Sequence, residues 1–322
     1  MLNRRDLLST SLLAAGASTL GSSNNSAKAS MLTESTPVVP TFCFNTACIR
    51  PSKTPLPHVI ASLAKAKSGD FGYLGIEPWL DEIQTYLDTG GTVADLKKLL
   101  DDNNLKLTSL IAFANWGSDN EAERTKGLEE ARKTLNLVAR LGGKNIAAPP
   151  AGISKTDHRK IELDALAERY GKLLEVGKEE GVAPMLEVWG HSSNLSKLCE
   201  VLYVASACGQ PAPLLLDVYH LYKGGSDLNG LKLITGNMMP AFHVNDLPTK
   251  PPREDWNDSI RVYPGDGNAD MTGVLQTLYA NGFQGALSLE LFNRDYWKQI
   301  PDQVIQTGLD KMVASFQAAG IK

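Results

Sequence analysis

The sequence predicts an α/β fold, a single (β/α)₈ TIM barrel, from three observations. Short apolar segments alternate eight times with helical segments between residue 38 and the C-terminus, and such alternation indicates parallel strands joined by helical crossovers. Residues 38–322 are close in length to a typical barrel of about 250 residues. The first predicted strand is followed by Asn45, Thr46 and Ala47, whereas an open nucleotide-binding sheet would have a glycine-rich turn there.

The eight predicted strands are short apolar runs, most of which reach a polar or charged residue near the C-terminal end. In chain order they cover residues 38–46, 73–79, 105–113, 145–148, 183–189, 213–220, 240–246 and 286–292. The clearest predicted helices between them cover residues 121–141, 163–180, 195–208 and 271–280. Gly181 and Gly209 directly follow two of these segments, which is typical of helix ends.

The N-terminus is predicted to lie outside the barrel, with an export signal over residues 1–29 and a short linker over residues 30–37. Arg4 and Arg5 precede a weakly apolar run rich in Ala, Ser and Gly, and residues 27–29 have the small-x-small pattern of a cleavage site. This order of features resembles a twin-arginine signal and predicts a folded protein exported to the periplasm. A Sec signal with two chance arginines and a disordered tail are the alternatives.

The amino-acid composition indicates which class of partner to expect. The formal net charge is −4 and no stripe of Lys and Arg occurs, so nucleic acid is not expected, because neutralising phosphates needs clustered cations. The N-terminal apolar run is shorter than the roughly 20 residues that a membrane span requires. The four cysteines form no C-x-x-C pair. Cys199 and Cys208 lie on an apolar helical stretch and are predicted to be buried thiols rather than a disulfide. A small-molecule partner is expected. The sequence is also compatible with a homo-oligomer.

Four ionisable residues follow apolar runs on four consecutive predicted strands. They are Glu187, Asp217, His243 and Glu290. Side chains at the C-terminal ends of barrel strands point into one site, and three carboxylates gathered there would repel one another without a cation. The pattern therefore predicts one divalent metal ion. The oxygen-rich set favours Mn²⁺, Mg²⁺ or Co²⁺, with Zn²⁺ as the alternative.

The motifs around these residues resemble the xylose isomerase-like barrel family, often described as sugar phosphate isomerases and epimerases. The resemblance covers roughly residues 38–320. Its motifs are PMLEVWG at 184–190, LLLDVYH at 214–220, FHVND at 242–246, RVYPGDG at 261–267 and LSLEL at 287–291. The family has a Glu–Asp–His–Glu metal set on strands five to eight, so the resemblance implies the same four residues as ligands.

The resemblance also implies a reaction. It is the isomerisation or epimerisation of a sugar, keto-sugar or inositol-like polyol through an enediolate that a bound metal stabilises. Glu187 and Glu290 would then be the pair of carboxylates that removes and returns a proton. The alternative is a lyase or dehydratase that acts on a 3-keto-glycoside or related keto-sugar and expels an oxygen substituent. Phosphorylated substrates are not expected, since no glycine-rich phosphate cradle is visible.

Three predicted substrate-site residues follow from these motifs. The resemblance implies a substrate-binding histidine at His220, three residues after Asp217. It implies a substrate-binding arginine at Arg261, which precedes the Pro-Gly-Asp-Gly turn. Asp246, three residues after His243, is predicted to orient that histidine or to bind water.

Three further candidates come from strand ends and aromatic residues. Glu77 ends the second predicted strand and is predicted to contact substrate hydroxyls, with a buried structural role as the alternative. His191 departs from the sugar epimerases, which tend to have another glutamate slightly further on, and it is a candidate proton donor in the lyase reaction. Trp116, with Trp79 and Trp189, is predicted to form an apolar wall for a sugar ring, with core packing as the alternative.

Two other functions fit the sequence less well than an isomerase. A phosphodiesterase of the AP-endonuclease type shares this barrel but needs a histidine-rich site for three zinc ions. The chain has five histidines, and His58 and His158 fall outside the predicted strand ends, so this function is disfavoured. A non-catalytic sugar-binding barrel is disfavoured by the complete metal set.

Overall fold

A computed structural model describes residues 39–153 and 160–321. The strands are β1 Thr41–Asn45, β2 Tyr73–Glu77, β3 Lys106–Leu107, β4 Asn145–Ala148, β5 Ala183–Glu187, β6 Leu214–Asp217, β7 Ala241–Val244 and β8 Ala286–Leu289. The α-helices are α1 Leu56–Lys65, α2 Leu80–Asp88, α3 Val93–Asp102, α4 Glu121–Arg140, α5 Leu163–Glu180, α6 Leu198–Ala207, α7 Val218–Gly224, α8 Met271–Ala280 and α9 Pro301–Ala318.

All eight strands are parallel and follow the order β3-β2-β1-β8-β7-β6-β5-β4 in one curled sheet. β1 pairs with both β2 and β8, so the first and last strands are neighbours. Between the two ends of this order, the backbone N–H of Ala147 donates to the carbonyl oxygen of Leu110 at 3.1 Å. Helices surround the sheet, and the predicted single (β/α)₈ barrel is confirmed.

Strand β3 is much shorter than its predicted range of 105–113. Beyond its end the chain stays beside β2, because Thr108 N donates to Ile76 O and Ile111 N donates to Pro78 O, each at 3.0 Å. The regular ladder stops because Pro78 has no N–H to donate in return. The end of the predicted strand therefore remains at the sheet as an irregular segment.

Strand β6 ends at Asp217, so the predicted strand over 213–220 is wrong for its last three residues. Helix α7 begins at Val218, and Asp217 caps it by accepting a hydrogen bond from the backbone N–H of His220 at 2.9 Å. An aspartate at this position satisfies one of the unpaired N–H groups of a helix start. His220 consequently stands on the first turn of a helix beside the end of β6.

The core has two parts. The larger part lies between the strands and the helices. The smaller part fills the barrel interior with Ile111, Ala147, Met185, Leu215 and Ala241. Because side chains alternate along a strand, the members on β5, β6 and β7 share a face with the charged residues two positions later. This interior cluster is therefore the floor beneath the predicted metal ligands.

Three remaining predictions concern the membrane, the cysteines and the N-terminus. No helix among residues 39–153 and 160–321 is long and apolar enough to cross a bilayer. All four cysteines are free thiols. Cys43 and Cys48 are buried and Cys208 is partly buried, but Cys199 is exposed, so its predicted burial is wrong. The predicted export signal and linker, residues 1–37, lie outside the described residues.

Candidate metal centre

Three predicted ligands meet at the C-terminal ends of β6, β7 and β8. The strand register places Asp217 opposite His243, and His243 opposite Ser288, two residues before Glu290. All three ligand side chains are buried. One ligand atom from each residue lies within 4.8 Å of the other two. The sheet therefore brings these residues, which are far apart in the sequence, into one compact group.

The geometry of this group suits a shared cation. Nδ1 of His243 lies 3.2 Å from Oε2 of Glu290 and 3.6 Å from Oδ2 of Asp217. Within the described part of the chain, this buried nitrogen has no aligned hydrogen-bond partner. Buried polar atoms are normally hydrogen-bonded, and a ring nitrogen facing two carboxylate oxygens is the arrangement of metal ligands. Asp217, His243 and Glu290 are the residues that would hold the ion.

Glu77 orients the histidine from the opposite side of its ring. Oε2 of Glu77 lies 2.9 Å from Nε2 of His243, and it also accepts from Ser288 Oγ at 2.8 Å and from Asn45 Nδ2 at 3.0 Å. A carboxylate on the far ring nitrogen fixes the tautomer of a metal-binding histidine. Glu77 is fully buried, so its observed contacts support the buried structural role rather than the predicted contact with substrate.

Asp246 has a different role from the one predicted. Its buried carboxylate accepts hydrogen bonds from the backbone N–H groups of Leu247 at 2.7 Å, Gly265 at 3.0 Å and Ala269 at 2.8 Å. These bonds anchor the long loop that follows β7. They contradict the first of its two predicted roles, the orientation of His243, because Glu77 contacts that ring. The second, binding of water, stays a prediction.

Arg261 reaches the site because the loop folds back along β7. Asp246 and Val262 exchange two backbone hydrogen bonds of 2.9 Å, which places the preceding residue, Arg261, over the ligands. Its guanidinium is buried, and Nη1 donates to Glu290 Oε2 at 2.6 Å and to Asp217 Oδ2 at 3.1 Å. The residue predicted to bind substrate is therefore also the ion-pair partner of two predicted metal ligands.

The charges of these residues stabilise one another. Burial disfavours ionised carboxylates, yet Arg261 and His243 hold the pKa of Asp217 below its ordinary value, and His243 and Arg261 lower that of Glu290 to about 2. Burial likewise disfavours an imidazolium, yet Glu290 and Glu77 raise the pKa of His243 well above its ordinary value. In the metal-free protein His243 is therefore protonated, and a metal ion would displace that proton.

Glu187, the fourth predicted ligand, stands apart from the other three. It is not within 4.8 Å of all of them, and its Oε1 accepts a hydrogen bond from Trp189 Nε1 at 3.2 Å. The register pairs Glu187 with Leu215, two residues before Asp217. Burial, and then the charge of Glu290, raise the pKa of Glu187 well above its ordinary value. Its roles as ligand and proton carrier stay predictions.

The two histidines predicted at the substrate site lie together, with ring centroids of His191 and His220 5.2 Å apart. Burial lowers the pKa of His220 well below its ordinary value, so this ring is neutral. Its Nδ1 accepts from the backbone N–H of Gly190 at 3.2 Å, which leaves the ring proton on Nε2, 3.3 Å from Nη2 of Arg261. Neither of these donors can accept from the other. Nη2 of Arg261 also donates to Oδ1 of Asp258 at 2.5 Å. Binding of a substrate oxygen by His220 and Arg261 stays a prediction.

Trp116 is a core residue in the described structure. It is 1% exposed, its indole N–H donates to a backbone carbonyl oxygen at 2.7 Å, and its ring packs 5.5 Å from Tyr170. Trp79 and Trp189, the other two residues predicted to form an apolar wall, are partly exposed. Phe113 lies between them, with ring centroids 5.6 Å and 5.9 Å away.

The sequence prediction missed two asparagines that support the ligands. Nδ2 of Asn45 donates to Glu290 Oε1 at 3.1 Å, and Nδ2 of Asn245 donates to Asp217 Oδ2 at 3.1 Å. Both asparagines are fully buried. A signal was present, because each one follows an apolar strand, in FCFN and AFHVN. Both asparagines would have been predicted if amide side chains at strand ends had been considered together with charged ones.

Comparisons with known proteins agree with the barrel fold. Residues 63–314 match the family model described as "Xylose isomerase-like TIM barrel". An inosose isomerase of Bacillus velezensis is 26% identical over 272 residues, 82% of this chain and 93% of that protein. A 3-dehydroshikimate dehydratase of Pseudomonas aeruginosa is 26% identical over 247 residues, 74% of this chain and 36% of that protein.

A solved structure shows the same fold. The IOLI protein, whose crystal structure is described as having a binding zinc atom, superposes with a TM-score of 0.78 at 23% sequence identity. The superposition covers 87% of this chain and 99% of that chain. Nearly the whole of that protein therefore corresponds to the barrel described above.

Proposed function

Since the chain belongs to the xylose isomerase-like TIM barrel family, we propose that it is a metal-dependent isomerase or epimerase of a sugar, keto-sugar or inositol-like polyol. One observation supports this most directly. Asp217, His243 and Glu290 bring ligand atoms within 4.8 Å of one another at the open end of the barrel. The relatives named inosose isomerase, which include one 30% identical over 217 residues in Bacillus subtilis, favour a polyol or sugar substrate.

The protein contributes the ligands and their orientation. Asp217, His243 and Glu290 would hold the ion, with Glu187 as the fourth ligand. When bound, the ion supplies Lewis-acid stabilisation of the negative charge that develops on two neighbouring substrate oxygens. The oxygen-rich set favours Mn²⁺, Mg²⁺ or Co²⁺. Zn²⁺ is the alternative, and a zinc atom is named in the description of the solved structure with the same fold.

Two carboxylates perform the acid–base step. Of Glu187 and Glu290, the carboxylate that is ionised removes the proton from the carbon between the carbonyl and the hydroxyl, which leaves an enediolate. The other, which is protonated, returns its own proton to the enediolate. Nε2 of His220 and Nη2 of Arg261 donate hydrogen bonds to one substrate oxygen, so the sugar is held in a single orientation. Asn45 keeps Glu290 in place through its 3.1 Å hydrogen bond.

A lyase or dehydratase is the second candidate. The observation in its favour is the pair of adjacent rings of His191 and His220 beside the predicted substrate oxygen. An imidazole in this place can protonate an oxygen as it leaves the sugar. The relative named 3-dehydroshikimate dehydratase is consistent with this reaction type, although the chain spans only 36% of that protein.

Solvent deuterium tests both candidates. Metal-loaded protein is incubated in D₂O with a panel of ketoses, inososes and 3-keto-glycosides, and the products are identified by NMR and mass spectrometry. An isomerase or epimerase introduces deuterium at a carbon next to the carbonyl without loss of a substituent, whereas a lyase releases the substituent. Protein treated with a chelator is the control. Absence of exchange on every substrate with metal bound would contradict both candidates, because both begin with proton abstraction.

We also propose that residues 1–29 are a twin-arginine export signal, that residues 30–37 are a linker, and that the mature barrel functions in the periplasm. The support is the arginine pair, the weakly apolar run and the small-x-small site in the order that such signals require. Replacing both Arg4 and Arg5 with Lys should leave uncleaved protein in the cytoplasm, as judged by fractionation and N-terminal sequencing. Normal export of that variant would indicate a different route.

A further inference from the structure

A cavity of about 740 Å³ extends from the barrel interior toward helix α4. It passes between β3 and β4, which stand at opposite ends of the strand order and form no paired ladder among the described strands. Its apolar lining includes Trp79, Ile111, Phe113, Ala131, Leu135 and Ala147. This volume lies in the range of roughly 300–1,000 Å³ that is typical of pockets for drug-sized ligands.

Trp79 connects the lining of the cavity with the metal centre. The indole Nε1 of Trp79 donates to Oδ1 of Asn45 at 3.2 Å, and Nδ2 of the same asparagine donates to Glu290 Oε1 at 3.1 Å. Ile111 and Ala147 line the cavity and also belong to the floor beneath the ligands. The cavity therefore lies beside the metal centre.

Four neighbouring aromatic rings, of which Trp79 and Phe113 line the cavity, form a group that we call the aromatic collar: Phe292, Trp79, Phe113 and Trp189. Successive ring centroids are 6.1, 5.6 and 5.9 Å apart. The collar ends beside Glu187, the fourth predicted ligand, because Trp189 donates a hydrogen bond to Glu187. Phe113 is 46% exposed, so core packing does not account for its position.

The chemistry of this lining is unsuited to a bare sugar. A polyol has hydroxyl groups around its ring, which would lose hydrogen bonds to water against apolar walls. Among the charged residues that line the cavity, Arg50 and Asp81 are paired with each other at 2.7 Å, and the guanidinium of Arg50 lies 4.0 Å from the centre of the Trp79 ring. Glu130 and Lys133 on helix α4 also line the cavity, and both are exposed. Flat aromatic groups, in contrast, gain from stacking on exposed rings.

We propose that the substrate is a sugar that bears a flat apolar aglycone, with the sugar at the metal centre and the aglycone on the aromatic collar and in the cavity. This rests on the proposed function, which places the sugar carbonyl at Asp217, His243 and Glu290. It narrows that function to glycosides or to sugars with an aromatic substituent.

Binding of two matched ligands tests the proposal. The probes are the phenyl and methyl glycosides of one 3-keto-glucose, and their dissociation constants for the metal-loaded protein are measured by calorimetry. The phenyl glycoside should bind at least about tenfold more tightly, because its ring is removed from water. Equal dissociation constants, or no measurable binding of either glycoside at millimolar concentration, would overturn the proposal.

Variants locate the aglycone. Phe113→Ala removes one ring of the collar, and Ala131→Phe fills the cavity from helix α4. Both should reduce the preference for the phenyl glycoside to a few-fold or less. Ala122→Phe is the matched control, because Ala122 is exposed on the same helix, and it should keep the full preference. Melting temperatures report whether each variant is folded, and an unchanged preference in both folded cavity variants would place the aglycone elsewhere.

Deuterium exchange on an unsubstituted keto-sugar, measured in parallel, tests the proposed function independently of the aglycone site. Exchange without a preference for the phenyl glycoside overturns the aglycone site and leaves the proposed function intact. A preference for the phenyl glycoside without exchange on any substrate supports the aglycone site and contradicts the proposed function.

Discussion

Nε2 of His243 lies 2.9 Å from a carboxylate oxygen of Glu77, and both side chains are fully buried. The two residues are 166 positions apart in the sequence and belong to β7 and β2. Because Glu77 occupies one ring nitrogen, the other one faces Asp217 and Glu290. The orientation of a predicted metal ligand therefore depends on a residue outside the metal-binding set.

Replacing Glu77 with Gln should weaken metal binding by about 10- to 100-fold, the usual effect of losing a carboxylate behind a ligating histidine. The dissociation constant for Mn²⁺ or Zn²⁺ is measured by competition with a chelator. Ser288→Ala is the control, because it removes one hydrogen bond to Glu77 but leaves the contact with His243, and it should have a smaller effect. Unchanged metal affinity in Glu77→Gln would show that His243 does not need this partner.

Metal binding should release a proton at neutral pH. The pKa of His243 in the metal-free protein is raised well above its ordinary value by Glu290 and Glu77, against the effect of burial. A metal ion needs the neutral ring, so affinity should rise by up to about tenfold per pH unit until the pH passes that raised pKa. Calorimetry in two buffers with different ionisation enthalpies counts the proton. A titration at pH 7 without proton release would contradict the assignment of His243 as ligand.

Replacing Arg261 with Met should destabilise the metal-free protein more than the metal-bound protein. The guanidinium compensates Asp217 and Glu290, and removing one partner of a buried ion pair costs about 3–5 kcal/mol. A bound cation would supply the missing positive charge. The increase in melting temperature on adding metal should therefore be larger in Arg261→Met than in the wild type. Arg253→Met, in the exposed part of the same loop, is the control, and equal increases in all three proteins would argue against a shared cation.

Replacing Glu187 or Glu290 with Gln should reduce deuterium exchange into the substrate by about 10²–10⁴-fold, because an amide cannot accept the proton. Glu187→Gln should still bind metal, since Asp217, His243 and Glu290 remain together. Metal content and circular dichroism establish that the site and the fold survive. Glu168→Gln, an exposed glutamate on α5, should exchange at the wild-type rate. Wild-type exchange in Glu187→Gln would show that Glu187 is not the base.

Replacing Asp246 with Ala should lower stability by about 3 kcal/mol or more, because three backbone N–H groups lose a charged acceptor. The free energy of unfolding is obtained from denaturant titration. Metal affinity should change little, since none of the three ligands contacts Asp246 through a hydrogen bond in the described structure. The opposite result, a large loss of metal affinity at full stability, would restore the idea that Asp246 orients His243.

Several features follow from the sequence by itself because their causes are local. The limits of β4, α5 and α8 are predicted as observed, because Pro149 and Pro150 follow β4, and Gly181 and the pair Asn281-Gly282 follow the two helices. The barrel is predicted from the alternation of apolar and helical segments. The positions of Asp217, His243 and Glu290 followed in the same way. The predictions failed where single residues act on the backbone, as Pro78 does after β2 and Asp217 does at the start of α7.

Only the tertiary structure decided which side chains meet. Glu77 and Asp246 both follow apolar runs, yet one orients His243 and the other anchors a loop, because their partners come from distant parts of the chain. Glu187 is separated from the compact group because neighbouring strands in a barrel are staggered, so equal positions along two strands need not be level. The residue pattern within one strand contains no information about the stagger between strands or about side chains from distant parts of the chain. It therefore could not predict that Arg261 lies between two ligands.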